Sequence, residues 1–195
     1  MVEADEVYLV CGHKGQPQKV IQAGRPPRRR RLKGARGRGT LATDKPPVLG
    51  LVQRGGQLAL RLLGDVQQKT IKPIIQEFVR PGTLMYTDEY NIYSRLRQWG
   101  YEHQSVCHAA GEYARDDDGD GFCEVHVNTQ EGIWSVLRSW LRPHRGISQT
   151  NMPIYLGFFE YVFNTRRRGK AILGDLFATM LAPDLRTIED VFSSP

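Results

Sequence analysis

Cysteine is scarce in this chain, and long apolar runs are missing. Cys11, Cys107 and Cys123 are the three cysteines in 195 residues. An odd, sparse set excludes a disulfide framework and points to a reducing compartment. No apolar run approaches the roughly 18 residues of a membrane-spanning helix, so no membrane partner is expected. The start, Met1-Val2-Glu3-Ala4-Asp5-Glu6, lacks the basic opening and apolar stretch of a secretory leader. The expected location is the cytoplasm. No internal repeat is present.

Acidic residues are nearly absent from one segment. Residues 11–47 hold eleven Lys/Arg and a single acid, Asp44. That segment carries +10 against +6 for the whole chain, so the remainder is at −4. The basicity is therefore local, and it suits a polyanion, with nucleic acid ahead of an acidic membrane surface. Gly, Pro and Arg dominate the stretch, which has little to bury and repels itself. It reads as a long flexible loop between strands.

A hydrophobic content of 40% and a charged content of 25% fit one soluble domain with a real core. Val2 to Val10 reads as a strand, with Asp5 on the same face as Val7 and Leu9. Two apolar runs around Gly55-Gly56 predict a hairpin. Ile71, Ile74, Ile75 and Phe78 predict a short helix ended by Pro81-Gly82. A strand follows from Thr83 into Asp88, then a helix over 91–99 and a strand over 102–107. Residues 111–124 read as an acidic loop. Asn128 to Arg142 is an amphipathic helix with a core stripe of Ile133, Trp134, Leu137, Trp140 and Leu141. Pro153 opens a further apolar helix. This order predicts an α/β fold with a mixed sheet flanked by helices, as in ribonuclease H-like proteins. The domain is expected over 1–168, with a helix and tail over 169–195.

Three acids stand at telling places. Asp5 lies within the first strand, Asp88 ends a later strand, and Glu131 begins the amphipathic helix. Carboxylates from two strands and a helix can converge at one end of a sheet, where hard divalent cations prefer oxygen ligands and phosphoryl transfer needs charge neutralised. Each acid also has a plainer reading. Asp5 could be an ion-paired acid at a sheet edge, and Asp88 a helix cap. Glu131 could close a capping box with Asn128 as N-cap. Arg138 follows Glu131 by two turns, roughly 20° around the axis, so an acid and a cation share one helical face with Ser135 and Arg142. Asp116-Asp117-Asp118-Gly119 opens like a calcium loop but has Val127 where the closing Glu is needed. Cys107-His108 and Cys123-x-x-His126 are poorly spaced for structural zinc.

In order, Glu3-Ala4-Asp5-Glu6, Thr87-Asp88-Glu89-Tyr90 and His126-x-Asn128-x-x-Glu131-x-x-Trp134 resemble the ISXO-like DDE transposases of bacterial insertion sequences. Arg138 matches that family's basic residue one heptad after the last acid. The resemblance runs from about Val2 to about Arg168. It implies Mg²⁺ (or Mn²⁺) held by Asp5, Asp88 and Glu131, with Asn128 an alternative third ligand. It also implies cleavage at the ends of a mobile element, then attack of a 3′-hydroxyl on target DNA. The expected partners are element-end and target DNA, the expected assembly is a homo-oligomer on DNA, and the expected location is nucleoid-associated. The candidate DNA contacts are Arg138, Arg142, Arg28, Arg29, Arg30, Arg31, Lys33, Arg36 and Arg38. Members of the family carry a recognition segment ahead of the first acid, whereas this chain begins almost at that acid. The alternative reading is therefore an inactive remnant that binds nucleic acid through its basic loop.

Overall fold

Branched and aromatic residues at the start of the chain make strand β1 over Val2–Tyr8. The structure is a computed structural model, and it describes residues 1–22, 24, 39, 41, 44–106, 114–116, 119, 121, 123–166, 174, 177 and 178. Within the basic segment, Pro17–Gln22 forms a short helix, α1. The two apolar runs around Gly55-Gly56 pair as the hairpin of β2 (Pro47–Gln53) and β3 (Leu58–Leu62). Gly55 adopts a φ of 70°, which glycine reaches without strain in a tight turn. Helix α2 (Gln68–Phe78) buries Ile71 and Ile75. Strands β4 (Leu84–Asp88) and β5 (Glu102–Val106) follow.

The five strands lie in the order β3-β2-β1-β4-β5. β1 runs antiparallel to β2 and parallel to β4, and β4 runs parallel to β5. This mixed sheet with flanking helices is the arrangement predicted for a ribonuclease H-like α/β fold. β2 is a nearly continuous apolar run because both its faces are covered. On one face Val7, Val48, Val52, Leu58 and Leu60 pack against two long helices. These are α3 (Asn128–Leu141) and α4 (Met152–Thr165). On the other face Ala4, Leu49 and Leu51 meet Ile71 and Ile75 of α2, with Tyr93 and Leu96. Each fully buried Leu or Ile contributes about 1.5–3 kcal/mol.

Helix α4 also closes one margin of the sheet. Asn164 Oδ1 accepts from Leu58 N at 2.7 Å, and Asn164 Nδ2 donates to Leu58 O at 2.8 Å. Glu160 Oε2 accepts from Leu60 N at 2.8 Å and from Arg61 Nη1 at 3.0 Å. Helix side chains thus satisfy the edge strand β3 where a neighbouring strand otherwise would.

Several local expectations change. The helix expected over 91–99 is two 3₁₀ turns, Asn91–Tyr93 and Arg97–Trp99. The connection between the parallel strands β4 and β5 is made of these turns, and it buries Ile92, Tyr93 and Leu96. The segment read as one long loop has docked ends. Besides α1, Lys14 Nζ donates to His144 O and Gly146 O at 2.9 Å each, and Cys11 N donates to Asp44 O at 3.0 Å. The acidic loop contains β6 (Ala114–Arg115), which pairs with β7 (Val125–His126). Asp116 accepts from Gly119 N at 2.6 Å and Gly121 N at 2.8 Å, so its oxygens serve a turn. Arg28, Arg29, Arg30, Arg31, Lys33, Arg36 and Arg38, the pair Cys107-His108, and the helix expected after Gly169 fall outside the described residues or almost wholly so.

Candidate functional site

The parallel pairing of β1 and β4 brings the two strand acids together. Val2 is level with Met85 and Glu3 with Tyr86. Asp5 and Asp88 each lie two residues beyond the last paired positions, so the register directs them toward one another, and the charge of Asp88 acts on Asp5. β1 is central in the sheet, so Asp5 is not a sheet-edge acid. Helix α3 lies over this face, with Glu131 exposed in its first turn and Trp134 buried one turn later.

Asp5 Oδ1 accepts from Glu6 N at 2.8 Å, and Asp5 Oδ2 accepts from Trp134 Nε1 at 2.8 Å. Burial is the main force raising its pKa from 3.8 to about 6. The negative charges of Asp88 and Glu131 raise it further, while the bonds from Trp134 and Glu6 pull it down. Asp88 and Glu131 therefore both act electrostatically on Asp5, although 83 residues separate Asp5 from Asp88 and a further 43 separate Asp88 from Glu131. Asp88 Oδ1 accepts from Tyr90 N at 3.0 Å, a local turn contact. Buried Tyr93 donates to Glu6 Oε2 at 3.1 Å, and its own hydroxyl proton is held more tightly by burial and by Glu6, Asp5 and Asp88.

Hard oxygen donors that crowd negative charge at one end of a sheet suit a divalent cation, which would relieve the repulsion felt at Asp5. Among the described residues, no three His, Cys, Asp or Glu side chains draw close enough to grip a metal by themselves. Asn128 is the first residue of α3 and is exposed. The N-cap position falls on Val127, which makes no side-chain cap hydrogen bond, and Asn128 lies inside the helix, so the capping box that would have accounted for Glu131 does not form.

Arg138 and Arg142 are exposed along α3 and just past its end. Together with Leu9, Leu141, Ile147 and Met152 they line a cleft of about 320 Å³. Guanidinium groups above an apolar floor, two turns from Glu131, suit a phosphate backbone passing the acids.

A profile of the ISXO2-like transposase domain matches residues 1–164. The chain belongs to this transposase family. A protein of the transposable element ISH50 of Halobacterium salinarum, described as uncharacterized, is 35% identical over 185 residues. The match covers 92% of this chain and 58% of that protein, so the chain spans somewhat more than half the relative's length. An uncharacterized transposase-like protein of Haemophilus influenzae is 28% identical over 102 residues, covering 51% of this chain and 75% of that protein. No helix among the described residues of this transposase domain is long and apolar enough to cross a membrane.

Sequence reasoning missed three features of this candidate site. Trp134 was read only as core, but its indole also donates to Asp5. Its place three residues after Glu131, on the adjoining face of the helix, was the available signal. Gly50 pairs with Asp5 across β1 and β2, and a β-carbon there would run into Gln130 and Trp134. Glu3 is fully buried, and nothing in its sequence context distinguishes it from a solvated acid beside Asp5.

Proposed function

We propose that this domain performs metal-dependent DNA cleavage and strand transfer for an insertion sequence, with Asp5, Asp88 and Glu131 as the residues that hold Mg²⁺ or Mn²⁺. The observation that supports this reading is the charge of Asp88 and of Glu131 acting on Asp5, in keeping with a β1–β4 register that runs toward both strand acids. Bound divalent ions would supply Lewis acidity to the attacking and leaving oxygens. Asn128 offers a neutral oxygen in the same first turn, as an alternative third ligand.

The chain's own groups orient the reaction. Trp134 and the Glu6 amide fix the Asp5 carboxylate, and Tyr90 N fixes that of Asp88. Arg138 and Arg142 hold backbone phosphates to one side of the scissile one. Arg28, Arg29, Arg30, Arg31, Lys33, Arg36 and Arg38 add sequence-independent attraction for DNA. In cleavage, water forms a bond to phosphorus and the 3′ oxygen of the element end leaves. In joining, that 3′-hydroxyl forms a bond to a target phosphorus and the target's own 3′ oxygen leaves. The partners are element-end and target DNA, the working form is a homo-oligomer on paired ends, and the site of action is the nucleoid.

The decisive experiment is strand cleavage of an element-end duplex in Mg²⁺ or Mn²⁺, comparing the chain with Asp88→Ala. Cleavage is expected for the chain and a loss of at least about 10³-fold for the variant. Equal activity in both removes the reading. Salt-sensitive binding with no cleavage and no metal affinity by calorimetry would make the chain a binding remnant.

A further inference from the structure

Glu3 stands two residues before Asp5 on the same face of β1, fully buried, and no step above uses it. Its carboxylate accepts from Arg54 Nε at 2.6 Å and from the backbone N of Gln130 at 2.9 Å. Arg54 sits in the turn between β2 and β3. Its Nη1 donates to Glu124 O at 2.5 Å and its Nη2 to His126 O at 2.8 Å. The guanidinium carbon lies 4.3 Å from the centre of the Tyr86 ring, on the strand that ends at Asp88. His126 Nδ1 is 3.4 Å from Glu3 Oε1, yet it accepts from Asn128 N at 3.2 Å. Nδ1 is thus an acceptor in this arrangement, and burial and the Arg54 charge lower the His126 pKa while Glu3 raises it.

One ion pair thus joins β1, the hairpin turn, β4, the strand leading into α3, and the first turn of α3 itself. A buried pair of this kind is a poor source of net stability, because desolvation cancels most of the attraction. What it supplies is geometry. The planar guanidinium serves three acceptors in fixed directions and stacks on an aromatic face, which an ammonium group cannot copy. The nitrogens Nε, Nη1 and Nη2 all have acceptors within the chain, and the side chain is mostly buried, so a DNA phosphate is not its natural partner.

We infer that Glu3 and Arg54 are positioning residues that fix where α3 begins, and so hold Glu131 and Asn128 against the Asp5–Asp88 pair. The contacts stand by themselves; their catalytic consequence rests on the transposase reading above.

The test uses the full chain with Arg54→Lys, Glu3→Gln and the double variant Glu3→Leu/Arg54→Met, which removes both buried charges and keeps the volume. Arg61→Ala, in the ion pair with Glu160 on the edge strand β3, is the control. Folding is checked by circular dichroism, and the Gln130 amide and Trp134 indole are followed by NMR. All three network variants are expected to fold and to exchange the Gln130 amide at least about 10-fold faster. The Trp134 indole resonance is expected to shift in each of them, and in Arg61→Ala neither signal moves. Cleavage turnover is expected to fall roughly 100-fold with KM for DNA within about twofold. A double variant with unchanged Gln130 exchange, indole resonance and turnover overturns the inference, as does Arg54→Lys behaving like the parent. If the NMR signals move but the parent chain itself does not cleave DNA, the positioning role stands and the catalytic reading falls.

Discussion

Asp5 is held in a place that opposes its own charge. Its proton is bound more tightly in the fold than in the open chain, with the pKa moved from 3.8 to about 6. The folded state therefore carries the extra proton between those values, and stability falls as pH rises from about 4 to about 6. Above that range the ionised carboxylate opposes folding by on the order of 2–3 kcal/mol. Asp5→Asn is expected to be more stable than the parent to urea at pH 7.5, by about 1–2 kcal/mol after loss of one accepted hydrogen bond. The difference should shrink at pH 4.5. Millimolar Mn²⁺ should stabilise the parent and leave Asp5→Asn unmoved, and an equal response from both proteins would count against a metal ligand at this position. Trp134 is coupled to the same group through the 2.8 Å bond from its indole. Trp134→Phe keeps most of the buried area but removes a donor, and should raise the Asp5 pKa further, as followed by carboxyl carbon NMR.

At the scale of elements, Gly50 decides how closely α3 approaches the sheet. A β-carbon on Gly50 would lie 2.5 Å from Trp134 Cη2. Gly50→Ala is expected to cost about 1–3 kcal/mol by overpacking. It should also displace the indole from Asp5, visible as a shift of the Trp134 indole proton. The other helix has a similar dependence, because Asn164 satisfies both backbone groups of Leu58. Asn164→Ala should lower stability by roughly 1–3 kcal/mol and promote self-association in light scattering, since an open strand edge invites other chains. Most of these elements were legible in the sequence. The stripe through Ile133, Trp134 and Leu137 gave α3, and the Gly55-Gly56 punctuation gave the hairpin. The Asn91–Trp99 stretch was misread because the spacing of Ile92, Leu96 and Trp99 suits one helix and two successive 3₁₀ turns alike. The β6–β7 ribbon escaped notice because two-residue strands carry no periodic signal.

For the whole molecule, charge is divided, with +10 in residues 11–47 and −4 in the remainder, and under the proposed function the basic part grips DNA while the rest does the chemistry. Binding of a DNA duplex should weaken steeply with salt, and Arg138→Ala or Arg142→Ala should each reduce the slope of log K against log salt by about 1. Deleting 25–38 should flatten it further without altering the fold of the sheet, checked by titration at several ionic strengths and by circular dichroism. The three acids were readable as an ordered set because their motifs are short and well separated. The pair Glu3 and Arg54 was not, because a buried ion pair between residues 51 positions apart leaves no local pattern. The β1–β4 ladder has one more consequence. Backbone pairing, and not the stretch of chain between the strands, fixes the place of Asp5 relative to Asp88. Shortening or lengthening that excursion is therefore expected to leave the spacing of the two aspartates unchanged.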